Sequence, residues 1–222
     1  MLSLNRLRWA TALLCLAPCA WGFDGELKID NAAVRITEIA EVAESTREIQ
    51  PSSTNRLFVS IGPGDVEITQ DGHIQRQHWV SGQVILVAGS QRLVWKNVGP
   101  SPIQLVEIEL KAVAAEERQG RNPQLDPVVI DPRHNIPVLE NNQVRVFRSW
   151  REPGATEMMH EHVGIGRAAI LLTSLDSTVK LGDGSVVVSR AAQGDVLWSG
   201  PVVHATTNLS SQRFEMVIVE VK

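Results

Sequence analysis

The feature that most constrains this chain is that its second half repeats the first at a spacing of about 111 residues. Asp71-Gly72 and Asp183-Gly184 are both turn dipeptides that reverse a strand with positive φ at little steric cost. Eleven residues after each aspartate comes a glycine, Gly82 or Gly194, followed by a short apolar run, Val84–Val87 or Val196–Ser199. Each half then reaches an asparagine, Asn97 or Asn208, and closes on a similar strand, Val106–Lys111 or Val217–Lys222. The front ends match too, Asn31–Ile36 against Asn141–Val146. One such match between β-segments arises by chance, whereas five in the same order indicate duplication.

Each copy reads as β. Short apolar runs recur at Ala33–Ile36, Leu57–Ile61, Val84–Val87 and Leu105–Leu110, the last alternating with period two, and Gly, Pro, Asn and Asp punctuate them. Glu38–Glu48 is also compatible with a short helix, but strands dominate. Many short strands with regular turn signals predict an all-β sandwich or barrel, and the duplication makes it two in tandem. Ala112–Arg133, rich in Ala, Glu, Arg, Gln and Pro, reads as a linker that begins with a helical turn. The expected layout is therefore a first domain over 23–111, the linker over 112–133 and a second domain over 134–222.

Residues 1–22 differ from the rest. Arg6 and Arg8 precede the apolar run Trp9–Ala20, and Ala20 and Gly22 stand at −3 and −1 to a cleavage before Phe23. This is the layout of a cleaved secretory signal peptide, and the run is too short for a membrane span. A periplasmic or secreted location is the expectation. Pro18 argues against lipidation at Cys19. Both cysteines, Cys15 and Cys19, lie in the removable segment, so the mature chain would have neither a thiol nor a disulfide. Cleavage leaves 19 basic residues against 25 acidic ones, a net charge of −6, which gives no electrostatic reason to expect a nucleic-acid partner.

The chemistry concentrates in the second half. In Gly154–His162, His160 and His162 are two apart, so on a strand both imidazoles leave the same face. Gly194–Asn208 adds His204 after a Gly-Asp turn. Such a group suits zinc or a first-row transition metal. Glu157 and Glu161 have the wrong strand parity to share a face with His160 and are read as solvated. Trp150 and Trp198 suit packing in the core or at a barrel mouth, Met158 and Met159 suit packing, His134 suits a turn, and His73 and His78 are given no role.

These two stretches resemble the two motifs of the cupin superfamily: glycine, five residues, His-x-His and then a glutamate; later glycine-aspartate, a proline-glycine turn, histidine, three residues and asparagine. The resemblance covers about Asn141 to Lys222 and, weakened, the first half. It implies a jelly-roll barrel in each half, with His160, His162 and His204 as metal ligands in the second. Two departures stand out. The position of the family's glutamate, five residues after His162, is Arg167, and the later turn reads Gly200-Pro201-Val202-Val203. Arg167 is either a surface arginine at a strand start or a guanidinium aimed into the barrel to hold a carboxylate or phosphate. In the first half Ala43–Ile49 stands where His-x-His belongs, and Arg92 or Leu93 where the third histidine belongs, so no metal site is expected there.

The resemblance supports a bicupin that binds a small molecule in its C-terminal barrel, with or without one divalent metal (Fe, Mn, Ni or Zn). The alternative is a metal-dependent oxygenase of the quercetinase-like type. A sugar isomerase or epimerase would want a His–Tyr pair, and the chain has no tyrosine. Tandem barrels are expected to pack as a pseudo-symmetric dimer within one chain, which gives the barrel that lacks the motif histidines a role as packing partner. Further homo-oligomerisation is compatible with this.

Overall fold

A computed structural model describes residues 25–111 and 121–222. The segment read as a signal peptide and the first part of the linker lie outside the described residues. In the first half the strands are β1 (Glu26–Asp30), β2 (Val34–Glu41), β3 (Thr46–Ile49), β4 (Asn55–Ser60), β5 (Gly64–Gln70), β6 (His73–Trp79), β7 (Val84–Val87), β8 (Leu93–Asn97) and β9 (Ile103–Leu110). A short helix α1 (Pro127–Ile130) precedes the second set. That set is β10 (Asn135–Glu140), β11 (Val144–Arg151), β12 (His160–His162), β13 (Gly166–Leu171), β14 (Leu175–Leu181), β15 (Val186–Ala191), β16 (Val196–Ser199), β17 (Val202–Asn208) and β18 (Phe214–Val221). The short helix weighed over Glu38–Glu48 does not form. Those residues divide between β2 and β3, with Glu44 turning the chain at φ 62°.

The two halves have one topology. The first has sheets in the order β1-β2-β9-β4-β7 and β3-β8-β5-β6; the second has β10-β11-β18-β13-β16 and β12-β17-β14-β15, all antiparallel. Each half is therefore a barrel of two facing sheets, as the duplication requires.

Period-two alternation assigns the faces. On β2, β4 and β9, Val34, Ile36, Leu57, Val59, Val106, Ile108 and Leu110 point one way. On β11, β13 and β18, Val144, Val146, Ala168, Ile170, Val217, Val219 and Val221 do the same, and the two sets merge into a single apolar core. The five-stranded sheets thus pack against each other, barrel to barrel. The opposite faces line the interiors, with Ile39, Phe58, Trp79, Trp95 and Leu105 filling the first barrel and Phe147, Ala169, Leu171, Phe214 and Ile218 filling part of the second.

The repeated glycines serve this junction. Gly82 and Gly194 both have positive φ, 78° and 90°, which glycine adopts without strain. A side chain on Gly82 would run into Leu172 and come close to Arg148 of the second barrel, and one on Gly194 would meet Gln104 of the first. Each barrel rests a glycine turn on the other's sheet.

Candidate metal and ligand site in the second barrel

β12 pairs with β17 so that His160 lies opposite His204 and His162 opposite Val202. All three imidazoles point inward, each is buried, and their candidate ligand nitrogens lie within 4.8 Å of one another. The distant segments that carry them therefore do meet inside one barrel.

Each ring is held from behind. Nδ1 of His160 lies 3.0 Å from the carbonyl of Met158, which can only accept, so Nδ1 carries the proton. Nδ1 of His162 lies 2.7 Å from Oε1 of Glu220 and donates to it when that carboxylate is ionised. Nδ1 of His204 has Thr206 Oγ1 at 3.4 Å and Glu157 Oε1 at 3.9 Å. This arrangement leaves Nε2 of each ring as an inward lone pair, that of His204 accepting from Arg167, the usual way an outer hydrogen bond prepares a histidine ligand. Nε2 of His160 and Nε2 of His162 then face each other at 3.0 Å. Two lone pairs at that distance repel unless a proton or a cation sits between them. Bonds of about 2.1 Å meeting near a right angle would hold two nitrogens about 3 Å apart, so the spacing suits a divalent ion. The donor set fits such a metal.

Arg167, the residue at the family's glutamate position, points into this site. On β13 it lies opposite Glu220 and Ser199, and Nη2 donates to Nε2 of His204 at 3.1 Å. The reading of Arg167 as a surface residue is thereby set aside in favour of the inward one. Its Nε is fully enclosed and finds no acceptor. Burial pulls its pKa down to about 10, against the pull of Glu157 and Glu220. The same enclosure acts on the histidines. Burial first and Arg167 second hold His204 down to about 2 and push His162 well below its ordinary value, so both rings are neutral at pH 7 and able to ligate.

The expectation that Glu157 is solvated is corrected. The Glu157 side chain is only 8% exposed, takes a hydrogen bond from Arg151 Nη2 at 2.6 Å and accepts the backbone N–H of Thr206 at 2.8 Å. The parity argument failed because β12 begins only at His160, and the preceding residues do not follow strand alternation. Glu161, also read as solvated, points away from the histidines as its parity requires but is half-buried, and its backbone N–H bonds to the carbonyl of Leu125 at 2.8 Å. Met158 is exposed, and His134 sits in a turn with Nδ1 on Asp131 at 2.8 Å.

A group the sequence reading passed over lies behind His162. Glu220 is fully buried, with Arg121 Nη1 3.0 Å and Arg145 Nη1 3.9 Å from its Oε2, and Arg145 is also paired with Asp126 at 3.0 Å. Burial raises Glu220 to about 7, and Arg121 opposes that rise. Arg121 and Asp126 come from the segment read as linker, which here lies against the second barrel. The signal was in the repeat. Arg145–Glu220–Arg167 run side by side across β11, β18 and β13, and Arg35–Glu109–Arg56 run likewise across β2, β9 and β4.

The first barrel shows what replaced the imidazoles. Ile49 lies opposite Leu93 just as His160 lies opposite His204. Leu93 stands four residues before Asn97, as His204 does before Asn208, so Leu93 rather than Arg92 occupies the third position. Arg92 is exposed and paired with Glu48. Among the described residues, the second barrel's histidines are the only such cluster of potential metal ligands.

No family sequence model matches the chain, and no curated protein matches it in sequence. Solved structures do match in shape. A cupin 2 conserved barrel domain protein from Leptotrichia buccalis is 12% identical with a TM-score of 0.54, covering 87% of this chain and 86% of that one. AerE from Microcystis aeruginosa is 8% identical with a TM-score of 0.63, covering 86% and 88%. A deletion mutant of oxalate decarboxylase from Bacillus subtilis is 11% identical with a TM-score of 0.60, covering 89% and 75%. At such identities the likeness speaks for the fold. By its repeat and its shape, this chain has the fold of these cupin-domain structures, two jelly-roll barrels in tandem.

Proposed function

We propose that this protein is exported and binds one divalent transition metal together with a small molecule in its C-terminal barrel. The observation that carries the reading is the convergence of three Nε2 lone pairs, with Nδ1 of His160 and His162 engaged from behind. The Mn(II) centres named for the oxalate decarboxylase of Bacillus subtilis, a structural neighbour, add support by analogy of fold. When bound, the ion would supply positive charge and open coordination positions to a ligand. The chain's own residues hold the rings, exclude water and, through Arg167, offer a cationic donor to that ligand. Binding is favoured over turnover because the nearest carboxylates are committed elsewhere: Glu157 to Arg151 and Thr206, and Glu220 to Arg121 and His162. Export rests on the basic-apolar-small pattern of residues 1–22.

The test is elemental analysis of the purified mature protein, repeated on His160→Ala. About one first-row metal per chain, lost in the variant, is the expected result. A well-folded protein that takes up no Mn2+, Co2+ or Zn2+ would overturn the reading.

A further inference from the structure

Arg167 poses a problem that the metal alone does not solve. Its guanidinium makes no ion pair among the described residues. Its Nε has no acceptor, and its Nη2 leans on Nε2 of His204, the lone pair that a metal would take. Binding an ion therefore removes the one acceptor this edge has, and it sets a dication beside a guanidinium that cannot escape by deprotonation. Nε and Nη2 form one side of the planar fork, the edge that matches the two oxygens of a carboxylate. A cation stands where the family pattern has a carboxylate, and Glu157 and Glu220 lie behind the rings, so the site with metal bound lacks both an anionic ligand and an acceptor for Arg167. A single small carboxylate would supply both.

We infer that the metal and a small carboxylate bind this barrel cooperatively, the carboxylate seated on the Nε–Nη2 edge of Arg167 and taking over the charge role of the absent glutamate. This rests on the metal-binding reading above. It adds that the site is incomplete with either partner alone, and it names the ligand class. Linkage makes the coupling reciprocal, so each partner tightens the other by one factor.

Calorimetric titration of the mature protein with Co2+, in the presence and absence of saturating formate at matched ionic strength, tests it. The Co2+ Kd is expected to fall at least about tenfold with formate, within the usual range of coupling between sites. Formate is expected to bind the Co2+-loaded protein more tightly than the metal-free protein by the same factor. Arg167→Gln should bind Co2+ more tightly without formate and lose the formate effect. Arg167→Lys keeps the charge but not the fork, so it should bind Co2+ weakly and also lose the effect. It gives a second route if the glutamine variant is unstable. Equal Co2+ affinity with and without formate overturns the coupling while leaving the metal site standing. An equal effect of sulfate overturns the assignment to carboxylates. No Co2+ binding under any condition overturns the metal reading and this inference with it.

Discussion

At the residue scale, the two interiors differ by a few substitutions on a shared framework. Ile49 and Leu93 stand for His160 and His204, yet Arg56 and Glu109 are kept opposite each other as Arg167 and Glu220 are. Glu107 is the first barrel's own addition. It faces inward beside Phe58, with Arg56 at 3.6 Å, and burial raises its pKa despite the opposing pull of Arg56 and Arg47. The folded protein thus holds this proton more tightly than the unfolded chain does. The stability that protonation contributes is complete below the ordinary value of 4.5 and is lost as pH rises through the raised one. Glu107→Gln should remove that component. Urea midpoints of the wild type and the variant, measured from pH 4 upward, should diverge in favour of the variant as pH rises; parallel curves would show that Glu107 titrates normally.

At the level of elements, the turns carry the same wiring twice. Asn31 Oδ1 accepts the N–H groups of Ala33 and Val34, and Asn141 Oδ1 accepts those of Gln143 and Val144. Asn97 donates to the carbonyls of Glu41 and Ser101, and Asn208 to those of Arg151 and Gln212. The loop after β2 is closed by Glu41 with Arg47, and the loop after β11 by Arg151 with Glu157, the same pair with its charges exchanged. Asn208→Ala removes two donated bonds and leaves the N–H of Ser210 without its side-chain acceptor, so it should cost about 2–3 kcal/mol in denaturant unfolding. A loss below about 0.5 kcal/mol would show that water replaces these bonds.

These elements also show what was legible in the sequence. Period-two alternation, the Asp-Gly turns and the spacing of His160, His162 and His204 announced two barrels and one cluster, because such signals are local or motif-bound. Glu157 was not legible, and of Glu220 only its repetition of Glu109 was. The inward turn of Glu157 depends on where β12 starts, and Glu220 meets His162, 58 residues away in sequence, only because the two sheets of the barrel face each other. For Arg167 the sequence left two directions open, and the alternation of β13 with Ala169 and Leu171 in the core selects the inward one.

At the scale of the molecule, the apolar core shared by the five-stranded sheets should make the two barrels unfold together. Ile108, fully buried at their junction, tests this. Ile108→Asp places a charge in that core and should cost at least about 4 kcal/mol. Chemical unfolding followed through the tryptophans of both halves should then move as one transition to lower urea. A second barrel that stays folded while the first is lost would show that the junction contributes little.

The back-to-back junction also bears on how a duplicated protein can age. On β9 and β18 every second residue from Val106 and Val217 onward is shared property of both copies, and the residues between them face one lumen alone. Drift is therefore free to erase imidazoles from one lumen, since the neighbouring copy never reads those positions. It is far less free on the alternate positions, where a change in either copy is answered by the other. The descendants of such a fusion should keep matching backs long after their lumens have stopped resembling each other.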